Sequence, residues 1–401
     1  MSKIYTGPIY DGDTHIYEQS DAWSRYLPEK YKKDFDVRHV VEGDKYPLYV
    51  GKWKIPPGED AFRLGADGKV KIPAPGMLHV WLKRLNEGNT EMDWVDMPRE
   101  ALYREDRIKW MDANQVEACS LFPGEMNTVP AFVEDREGLL ALITSFNRWS
   151  NEEWGFNYKD RIFSTAMLSF EDKEWAKKEI DFLLKNGLRT IALPPGPFQN
   201  RSPADPFFDD LWAPLNEAGV VVQYHIGEAK YMHTLQDMWG DVQASKSRVG
   251  QTAWMWLNCY GEPVMWHVLS SYIYLNFFER FPNIKMISSE NGAEFVPYFL
   301  RRMDKMRGMA RQGYWPCGQL KERPSKIFMK HVKVVAFPED DLRRMIDQTG
   351  SSDWVMMGSD FPHAEGVPAP NGFLRDQTGE LTEEETRKVM YENGRGVLGV
   401  R

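Results

Sequence analysis

The sequence predicts an α/β fold, a (β/α)₈ TIM barrel in which parallel strands alternate with helices. Two observations predict it: short apolar runs recur along the chain, and amphipathic segments separate them. The runs are almost continuously apolar, which is typical of strands that are buried on both faces in a parallel sheet. Because about eight such units follow one another, a closed barrel is favoured over an open doubly wound sheet.

Each predicted strand is a short apolar run that ends at a turn or at the start of a helical pattern. The runs are residues 8–13, 117–123, 161–170, 188–195, 219–227, 283–290, 331–337 and 353–360. Between them, segments 172–187 and 206–219 have the periodicity of amphipathic helices, and each ends at a glycine. No G-x-G-x-x-G follows a strand, which argues against a dinucleotide-binding sheet.

Two long segments, 19–100 and 228–262, interrupt this alternation. They follow the first and the fifth predicted strand, so in a barrel both extend from the C-terminal face, where active sites form. The first is rich in Pro and Gly, and both contain Trp, Met and Tyr, which argues against disorder. We therefore expect one domain over residues 1–401, with both segments inserted as a cap over the barrel mouth.

Composition indicates a globular protein. Hydrophobic residues make up 42% of the chain and charged residues 27%, and no apolar run approaches the roughly 20 residues of a membrane helix. The net charge of −9, without a basic stripe, argues against nucleic acid as a partner. The three cysteines are widely spaced and the N-terminus has no apolar signal segment, so we predict a cytoplasmic protein without a disulfide framework.

Aromatic residues make up 13% of the chain, and many lie outside the predicted barrel elements. Two interpretations remain open: a large core with an oligomer interface, or an apolar substrate pocket, since such pockets are lined by aromatic side chains. In the second interpretation, Trp254 and Trp256 of the second inserted segment are substrate-binding residues. The predicted partner is then a small planar or apolar molecule.

Polar residues concentrate where predicted strands end. Asp13 and His15 lie two apart at the end of the first strand, so their side chains point the same way. His225, Glu290 and Asp360 end the fifth, sixth and eighth strands. Burying such groups without partners costs roughly several kcal/mol each. A barrel would bring these strand ends together, and one divalent metal bound by all of these groups would offset the cost of their burial. The alternative is a set of unrelated local hydrogen bonds.

These motifs resemble the amidohydrolase superfamily, in particular the amidohydrolase-related branch that includes metal-dependent hydrolases and aminocarboxymuconate-semialdehyde-type decarboxylases. The stretch "DGDTHIYE" (11–18) resembles the D-x-H-x-x-E opening of this branch, and "VVVQYHIGE" (220–228) resembles its central strand. The stretch "GSDFPH" (358–363) resembles its closing G-S-D-[YF]-P-H motif, and the final helix carries the usual Glu-Asn pair. The resemblance covers nearly the whole chain and also implies a barrel.

The resemblance implies metal ligands at Asp13, His15, His225 and Asp360, with Asp360 also acting as general base. It implies one divalent ion, for which we favour Zn²⁺ and keep Mn²⁺ and Fe²⁺ open, because one ligand that is histidine in many relatives is Asp13 here. Relatives in this branch commonly form homodimers.

Further residues have more than one interpretation. Glu18 either supports a ligand or contacts substrate, or it forms a capping contact or a loop salt bridge. His363 either orients Asp360 or substrate, or it fixes its loop. Decarboxylases of this branch usually carry histidine in the place of Glu290, and a glutamate there would repel a substrate carboxylate unless it is protonated or paired with arginine. Arg201, in the loop after the fourth strand, is a candidate anchor for such a carboxylate.

The preferred prediction is a metal-dependent hydrolase that uses water activated by the metal to cleave an amide, a lactone or a C–C bond. Asp360 would take the proton, and Glu290 or His363 would position substrate or share that proton. The alternative is a metal-dependent lyase, a non-oxidative decarboxylase or hydratase that acts on an aromatic or unsaturated acid. A binding protein with a degraded site is the third possibility.

Overall fold

The computed structural model describes residues 5–43, 45–55, 61–89, 91–227, 229–240, 252–377 and 379–399. Residues 241–251, within the second predicted insertion, and 56–60, within the first, lie outside the described residues. Across the described ranges, no helix combines the length and the hydropathy that crossing a bilayer requires.

The strands of the barrel are short, parallel and buried. In chain order the strands of the described residues are β1 (Ile9–His15), β2 (Val37–His39), β3 (Leu48–Val50), β4 (Trp53–Ile55), β5 (Arg63–Leu64), β6 (Val70–Pro73), β7 (Trp94–Asp96), β8 (Val116–Phe122), β9 (Ile162–Ser164), β10 (Ala166–Met167), β11 (Thr190–Ala192), β12 (Val221–His225), β13 (Lys285–Ser289), β14 (Val332–Val335) and β15 (Val355–Met356). Strands β1 and β8 to β15 correspond to the eight predicted runs, with the third run divided into β9 and β10.

Parallel pairing closes these strands into a ring. Hydrogen bonding follows the orders β1-β8-β9 and β10-β11-β12-β13-β14-β15, and β9 continues into β10. Between the two ends of this series, Thr14 forms a parallel bridge with Phe361, and the His15 N–H donates to the Phe361 carbonyl at 2.7 Å. The predicted barrel is therefore confirmed, and all strand ends that carry the polar residues lie on one rim.

Helices separate the strands as the sequence predicts. They are α1 (Glu29–Lys32), α2 (Met77–Asn86), α3 (Arg99–Leu102), α4 (Arg104–Ala113), α5 (Val129–Phe132), α6 (Arg136–Glu153), α7 (Lys173–Lys185), α8 (Asp209–Glu217), α9 (Lys230–Met238), α10 (Ala253–Cys259), α11 (Glu262–Tyr274), α12 (Phe277–Arg280), α13 (Val296–Met309), α14 (Pro324–His331), α15 (Leu342–Thr349), α16 (Glu383–Arg387) and α17 (Asn393–Val397). The Asp172 side chain caps α7 by accepting from the Trp175 N–H at 3.0 Å.

Two hydrophobic layers hold the barrel together. One cluster inside the ring draws a buried residue from most strands, including Tyr10, Ala118, Phe163, Ile287 and Met356. A second, larger cluster packs the outer strand faces against the helices. Because both faces of these strands are buried, their sequences lack the alternation of a half-exposed strand.

The first inserted segment forms two small antiparallel sheets, β2-β3-β4 and β5-β6-β7, and the helix α2. Backbone hydrogen bonds join α2 to the loop after β15. The Gly76 N–H donates to the His363 carbonyl at 3.1 Å, and the Leu78 N–H donates to the Ala364 carbonyl at 2.8 Å. This segment is thus attached directly to the loop that carries Asp360 and His363.

Candidate metal centre

The rim at the C-terminal ends of the strands brings the predicted polar residues together. Asp13 and His15 lie on β1, His225 is the last residue of β12, and Glu290 directly follows β13. Asp360 lies in the loop after β15, beyond Ser359. Glu290 and Asp360 have left-handed backbone angles, with φ of 55° and 53°. Non-glycine residues adopt this conformation at a cost of about 1–3 kcal/mol, and such strain clusters at functional sites.

The side-chain atoms of these residues converge within hydrogen-bonding range. The Nε2 atoms of His15 and His225 are 3.0 Å apart. Asp13 Oδ1 lies 3.3 Å from His15 Nε2 and 3.5 Å from His225 Nε2. Asp360 Oδ1 lies 3.3 Å from His15 Nε2, and Glu290 Oε2 lies 3.1 Å from His225 Nε2. Three predicted ligands, Asp13, His15 and His225, therefore lie together with Glu290, whereas Asp360 joins the cluster through its contact with His15.

Contacts of the other ring nitrogens orient both imidazoles. His15 Nδ1 lies 3.1 Å from the Pro123 carbonyl, and His225 Nδ1 lies 2.8 Å from the Ile226 carbonyl. A carbonyl only accepts, so Nδ1 of His15 carries the proton and its Nε2 lone pair faces the shared point. His225 Nδ1 lies beside both the Ile226 carbonyl and the amide nitrogen of Asn127, which hold the ring in place with Nε2 toward the same point. This arrangement is typical of histidines that bind metal, whose second nitrogen donates to a carbonyl or carboxylate.

The donor set fits a divalent metal ion. Asp13 Oδ1 is buried and accepts no hydrogen bond from the described residues, so it lacks the donor that a buried carboxylate oxygen needs. Ligand atoms of Asp13, His15, His225 and Glu290 all lie within 4.8 Å of one another, as do those of His15, Glu290, Asp360 and His363. Two imidazoles with carboxylates suit Zn²⁺, Fe²⁺ or Mn²⁺.

Protonation of the unmetallated site shows how strongly it favours positive charge. Burial opposes a charge on His225, yet Asp13 and Glu290 raise its pKa to about 10. Burial and the neighbouring His363 lower the pKa of His15 to about 3. Burial would raise the pKa of Asp13, but His225 and His15 hold it below its ordinary value. One imidazolium thus occupies the place in which a metal cation would neutralise the carboxylates.

Glu290 and His363 lie next to the ligand cluster. Burial, and then the charge of Asp360, raises the pKa of Glu290 well above its ordinary value. His363 Nδ1 lies 2.8 Å from Asp360 Oδ1, and the His363 ring lies 4.1 Å from the His15 ring. Both side chains line the cavity described below, where they can transfer or hold protons.

Three neighbours of the cluster were not predicted from the sequence. Asn127 Nδ2 lies 2.9 Å from His225 Nδ1 and 3.1 Å from the Ile226 carbonyl. Arg107 is fully buried and donates through Nη2 to the His15 carbonyl at 2.5 Å. Tyr17 lines the cavity and is 7% exposed. Tyr17 could have been predicted from its position two residues beyond His15. Asn127 and Arg107 lie far from the ligands in sequence, so no local pattern pointed to them.

Glu18 turns away from the ligands and supports the loop after β8. Its carboxylate accepts from the backbone N–H groups of Glu125 and Met126, each at 3.1 Å. Burial, and then the charge of Glu125, raises the pKa of Glu18 to about 7. Of the interpretations left open above, this geometry agrees with a capping contact, made here to the loop that carries Glu125 and Asn127.

A cavity of about 740 Å³ opens beside the ligand cluster. One side is the barrel rim with Asp13, His15, His225, Glu290 and Asp360. Another part of the lining is an apolar wall from the first inserted segment, with Leu48, Ile55, Phe62, Leu78, Leu82 and Met92. Trp256 and Tyr260 of the second segment also line it. Such a volume accommodates a small organic molecule.

Three predicted substrate-binding residues do not line this cavity: Glu18, whose contacts are given above, Arg201 and Trp254. Arg201 is exposed, 3.6 Å from Asp205, with its guanidinium over the ring of Phe207. It is therefore not placed to anchor a substrate carboxylate, because a partner four residues along the chain holds it elsewhere. The ring of Trp254 lies against that of Trp239, tilted by 30° with centroids 5.8 Å apart, and does not line the cavity.

Comparison with known proteins agrees with this geometry. A family model described as Amidohydrolase matches residues 75–400. The chain belongs to the amidohydrolase family. A search of curated proteins finds no match. The predicted superfamily is thus confirmed, as is its branch with decarboxylases among its structural relatives.

Solved structures similar to this amidohydrolase cover almost its entire length. An amidohydrolase from Mycobacterium avium subsp. paratuberculosis K-10 is 28% identical with a TM-score of 0.81, covering 98% of this chain and 100% of that chain. A 5-carboxyvanillate decarboxylase from Novosphingobium aromaticivorans, with bound manganese and 3-methoxy-4-hydroxy-5-nitrobenzoic acid, is 15% identical with a TM-score of 0.57, covering 98% and 97%. A 2,6-dihydroxybenzoate decarboxylase from Rhizobium is 14% identical with a TM-score of 0.58, covering 98% and 99%.

Proposed function

We propose that this amidohydrolase is a metal-dependent lyase that decarboxylates an aromatic carboxylic acid without oxidation. The observation that carries the proposal is a single cavity with two unlike sides. One side holds a ligand set for a divalent cation, and the other is an apolar wall suited to a ring. The metal would attract the substrate carboxylate, and the wall would hold the ring.

The comparisons support this choice over hydrolysis, the preferred prediction from the sequence. Decarboxylases of hydroxylated benzoates recur among the similar structures, and two of them hold manganese with an aromatic ligand. At 12–15% identity these likenesses establish the fold, and their chemistry supports this chain's function only as a proposal. They also favour manganese beside the zinc that the sequence suggested, so both metals belong in the assay.

Asp13, His15, His225 and Asp360 would hold the ion in this mechanism. When bound, the metal supplies positive charge that orients a carboxylate and stabilises negative charge developing on the substrate. Hydrogen bonds from the other ring nitrogens fix the imidazole orientations before substrate arrives. The residues of the rim thereby bind and align the reacting group, leaving the carbon that loses CO₂ facing the cavity.

Decarboxylation replaces a carbon–carboxylate bond with a carbon–hydrogen bond, so one proton must reach the ring carbon as CO₂ leaves. Glu290 and the pair Asp360–His363 are the proton-carrying groups that face the cavity beside the ligands. We assign the proton transfer to these groups and substrate contact to Trp256. A protonated Glu290 would also remove the repulsion of a substrate carboxylate that the sequence raised as an objection.

We further propose that residues 19–100 and 228–262 together form a cap over the mouth of a single domain over residues 1–401. The lining of the cavity by residues of both segments supports this. We also propose a cytoplasmic homodimer, from the sequence reasons given above.

The experiment that tests the proposal is a CO₂-release assay on protein loaded with Mn²⁺ or Zn²⁺. The substrates are one-ring and two-ring aryl carboxylic acids with and without hydroxyl groups. Metal-dependent CO₂ release that is absent after chelation supports decarboxylation. Absence of CO₂ release across the panel with both metals contradicts it.

Hydrolysis of an uncharged substrate is the second candidate function. Among the described residues that line the cavity there is no Lys or Arg, whereas carboxylates such as Glu125, Glu290 and Asp360 are present. This charge distribution favours a neutral ester, amide or lactone. Parallel assays with such compounds separate the two functions, because hydrolysis releases an acid and no CO₂.

A further inference from the structure

The hydroxyl of Tyr17 is unusual among the buried tyrosines. Tyr17 is 7% exposed, and its hydroxyl makes no hydrogen bond with any described residue. By contrast, the hydroxyl of Tyr10 lies 2.9 Å from Ser120 Oγ, and the hydroxyl of Tyr224 lies 2.5 Å from that of Tyr272. The Tyr17 hydroxyl does not belong to the fully buried polar atoms without a partner, so it opens onto the cavity that Tyr17 lines. A tyrosine hydroxyl in such a place is available to a bound molecule.

The surroundings of Tyr17 fix its ring at the cavity. Its backbone N–H donates to the Ala101 carbonyl at 3.0 Å. Its ring packs edge-on against Phe62 with centroids 5.5 Å apart and lies 6.2 Å from the ring of His363. Tyr17 and both of these neighbours line the cavity. A molecule in the cavity can therefore reach this hydroxyl, with which no described residue forms a hydrogen bond.

The position of Tyr17 also indicates which part of a substrate it meets. It stands between the polar rim, through His363, and the apolar wall, through Phe62. A ring whose carboxylate faces the metal ligands would present an atom next to the carboxylate at this boundary. An oxygen at that place would be the natural partner of a phenolic donor.

We propose that Tyr17 binds substrate by donating its hydroxyl proton to an oxygen carried next to the reacting carboxylate. The identity of the reacting group rests on the proposed function. The substrate class that follows is an aromatic acid with an ortho hydroxyl or alkoxyl oxygen. The cavity of about 740 Å³ and its apolar wall leave room for a second ring beyond the one that reacts.

Isothermal titration of Mn²⁺-loaded protein with 1-hydroxy-2-naphthoic acid and 2-naphthoic acid tests this proposal, since the two ligands differ only in the ortho hydroxyl. We expect the Tyr17→Phe variant to bind the hydroxylated ligand about 10-fold more weakly than wild type. Binding of 2-naphthoic acid should change by less than about 2-fold. The metal content of the variant should equal that of wild type, because Tyr17 is not a ligand.

The matched control is Tyr158→Phe, which removes an exposed hydroxyl bonded to Glu105 at 2.7 Å and away from the cavity lining. It should bind both ligands as wild type does. Equal weakening of both ligands by Tyr17→Phe, no weakening of either, or no binding of either ligand to wild type overturns the proposal.

A separate measurement of CO₂ release distinguishes a failure of the binding role of Tyr17 from a failure of the proposed decarboxylation. If the hydroxylated ligand binds through Tyr17 but no acid is decarboxylated, the proposed reaction fails and the binding role of Tyr17 stands. If acids are decarboxylated at rates that neither the ortho hydroxyl nor Tyr17→Phe alters, the reaction stands and the role of Tyr17 fails.

Discussion

The two sides of the cavity differ in how they are built. The rim consists of strand ends that parallel hydrogen bonds hold in register, and its polar groups Asp13, His15 and His225 are almost fully buried. The wall comes from short antiparallel sheets and α2, and Leu82 on it is 50% exposed. The rim therefore has one defined geometry, whereas the wall can vary without disturbing the barrel. In the proposed function, the rim carries the reaction chemistry and the wall selects the substrate.

Removal of a metal ligand tests the rim most severely. We expect His225→Ala to weaken metal binding by more than about 100-fold, because removing mere supporting partners of a ligand already costs 10–100-fold. Turnover should fall below detection. Metal content by mass spectrometry and activity with added metal measure both effects. His267→Ala, which changes a histidine outside this cavity, is the control; equal metal loss in both variants would contradict the ligand assignment.

Loss of the proton-carrying function should leave the protein folded. We expect Asp360→Asn to lower kcat by at least about 100-fold, the usual size of an acid–base contribution. Circular dichroism and thermal unfolding should show the wild-type fold, since the amide has the volume of the carboxylate. Undiminished turnover in this variant would refute the role of Asp360.

Metal binding should depend on pH because a proton and the metal compete for the rim. The pKa of His225 is raised to about 10, so without metal this imidazole is protonated at neutral pH. The metal requires the neutral ring and must displace that proton, so apparent affinity should rise by about tenfold per pH unit between pH 6 and 8. Titration with Mn²⁺ across this range measures the slope; an affinity that falls or stays constant as pH rises contradicts it.

A change confined to the wall should leave the metal untouched. Leu82 lines the cavity while half exposed, so Leu82→Ala should cost little stability. We expect it to raise KM about 3- to 10-fold for a two-ring acid, through lost apolar contact, at unchanged metal content. Leu257→Ala, which shortens an exposed leucine outside the cavity lining, is the control. A loss of metal on Leu82→Ala would show that wall and rim are not separable.

The sequence predicted the rim better than anything else. Asp13 and His15 are two apart on one strand, and His225 ends another, so period and position sufficed once a barrel was inferred. The groups that contact these two histidines could not be predicted from the sequence. The Pro123 carbonyl and Asn127 come from the loop after β8, and no local sequence pattern dictates the path of that loop.

The loop residues were predicted least well, for the same physical reason. Arg201 follows a strand, as a substrate anchor would, yet its side chain lies against Asp205 and Phe207. Trp254 and Trp256 are two apart on the short helix α10, so they face different directions and only Trp256 reaches the cavity. The composition of a loop indicates that it contributes to a cavity, but its folded path decides which side chains do.

Anomalous diffraction at the manganese edge from crystals grown with Mn²⁺ locates the ion itself. We expect one strong peak per chain, within bonding distance of the Nε2 atoms of both His15 and His225 and of oxygens from Asp13 and Asp360. A peak elsewhere, or none while these side chains keep their positions, would contradict the ligand assignment.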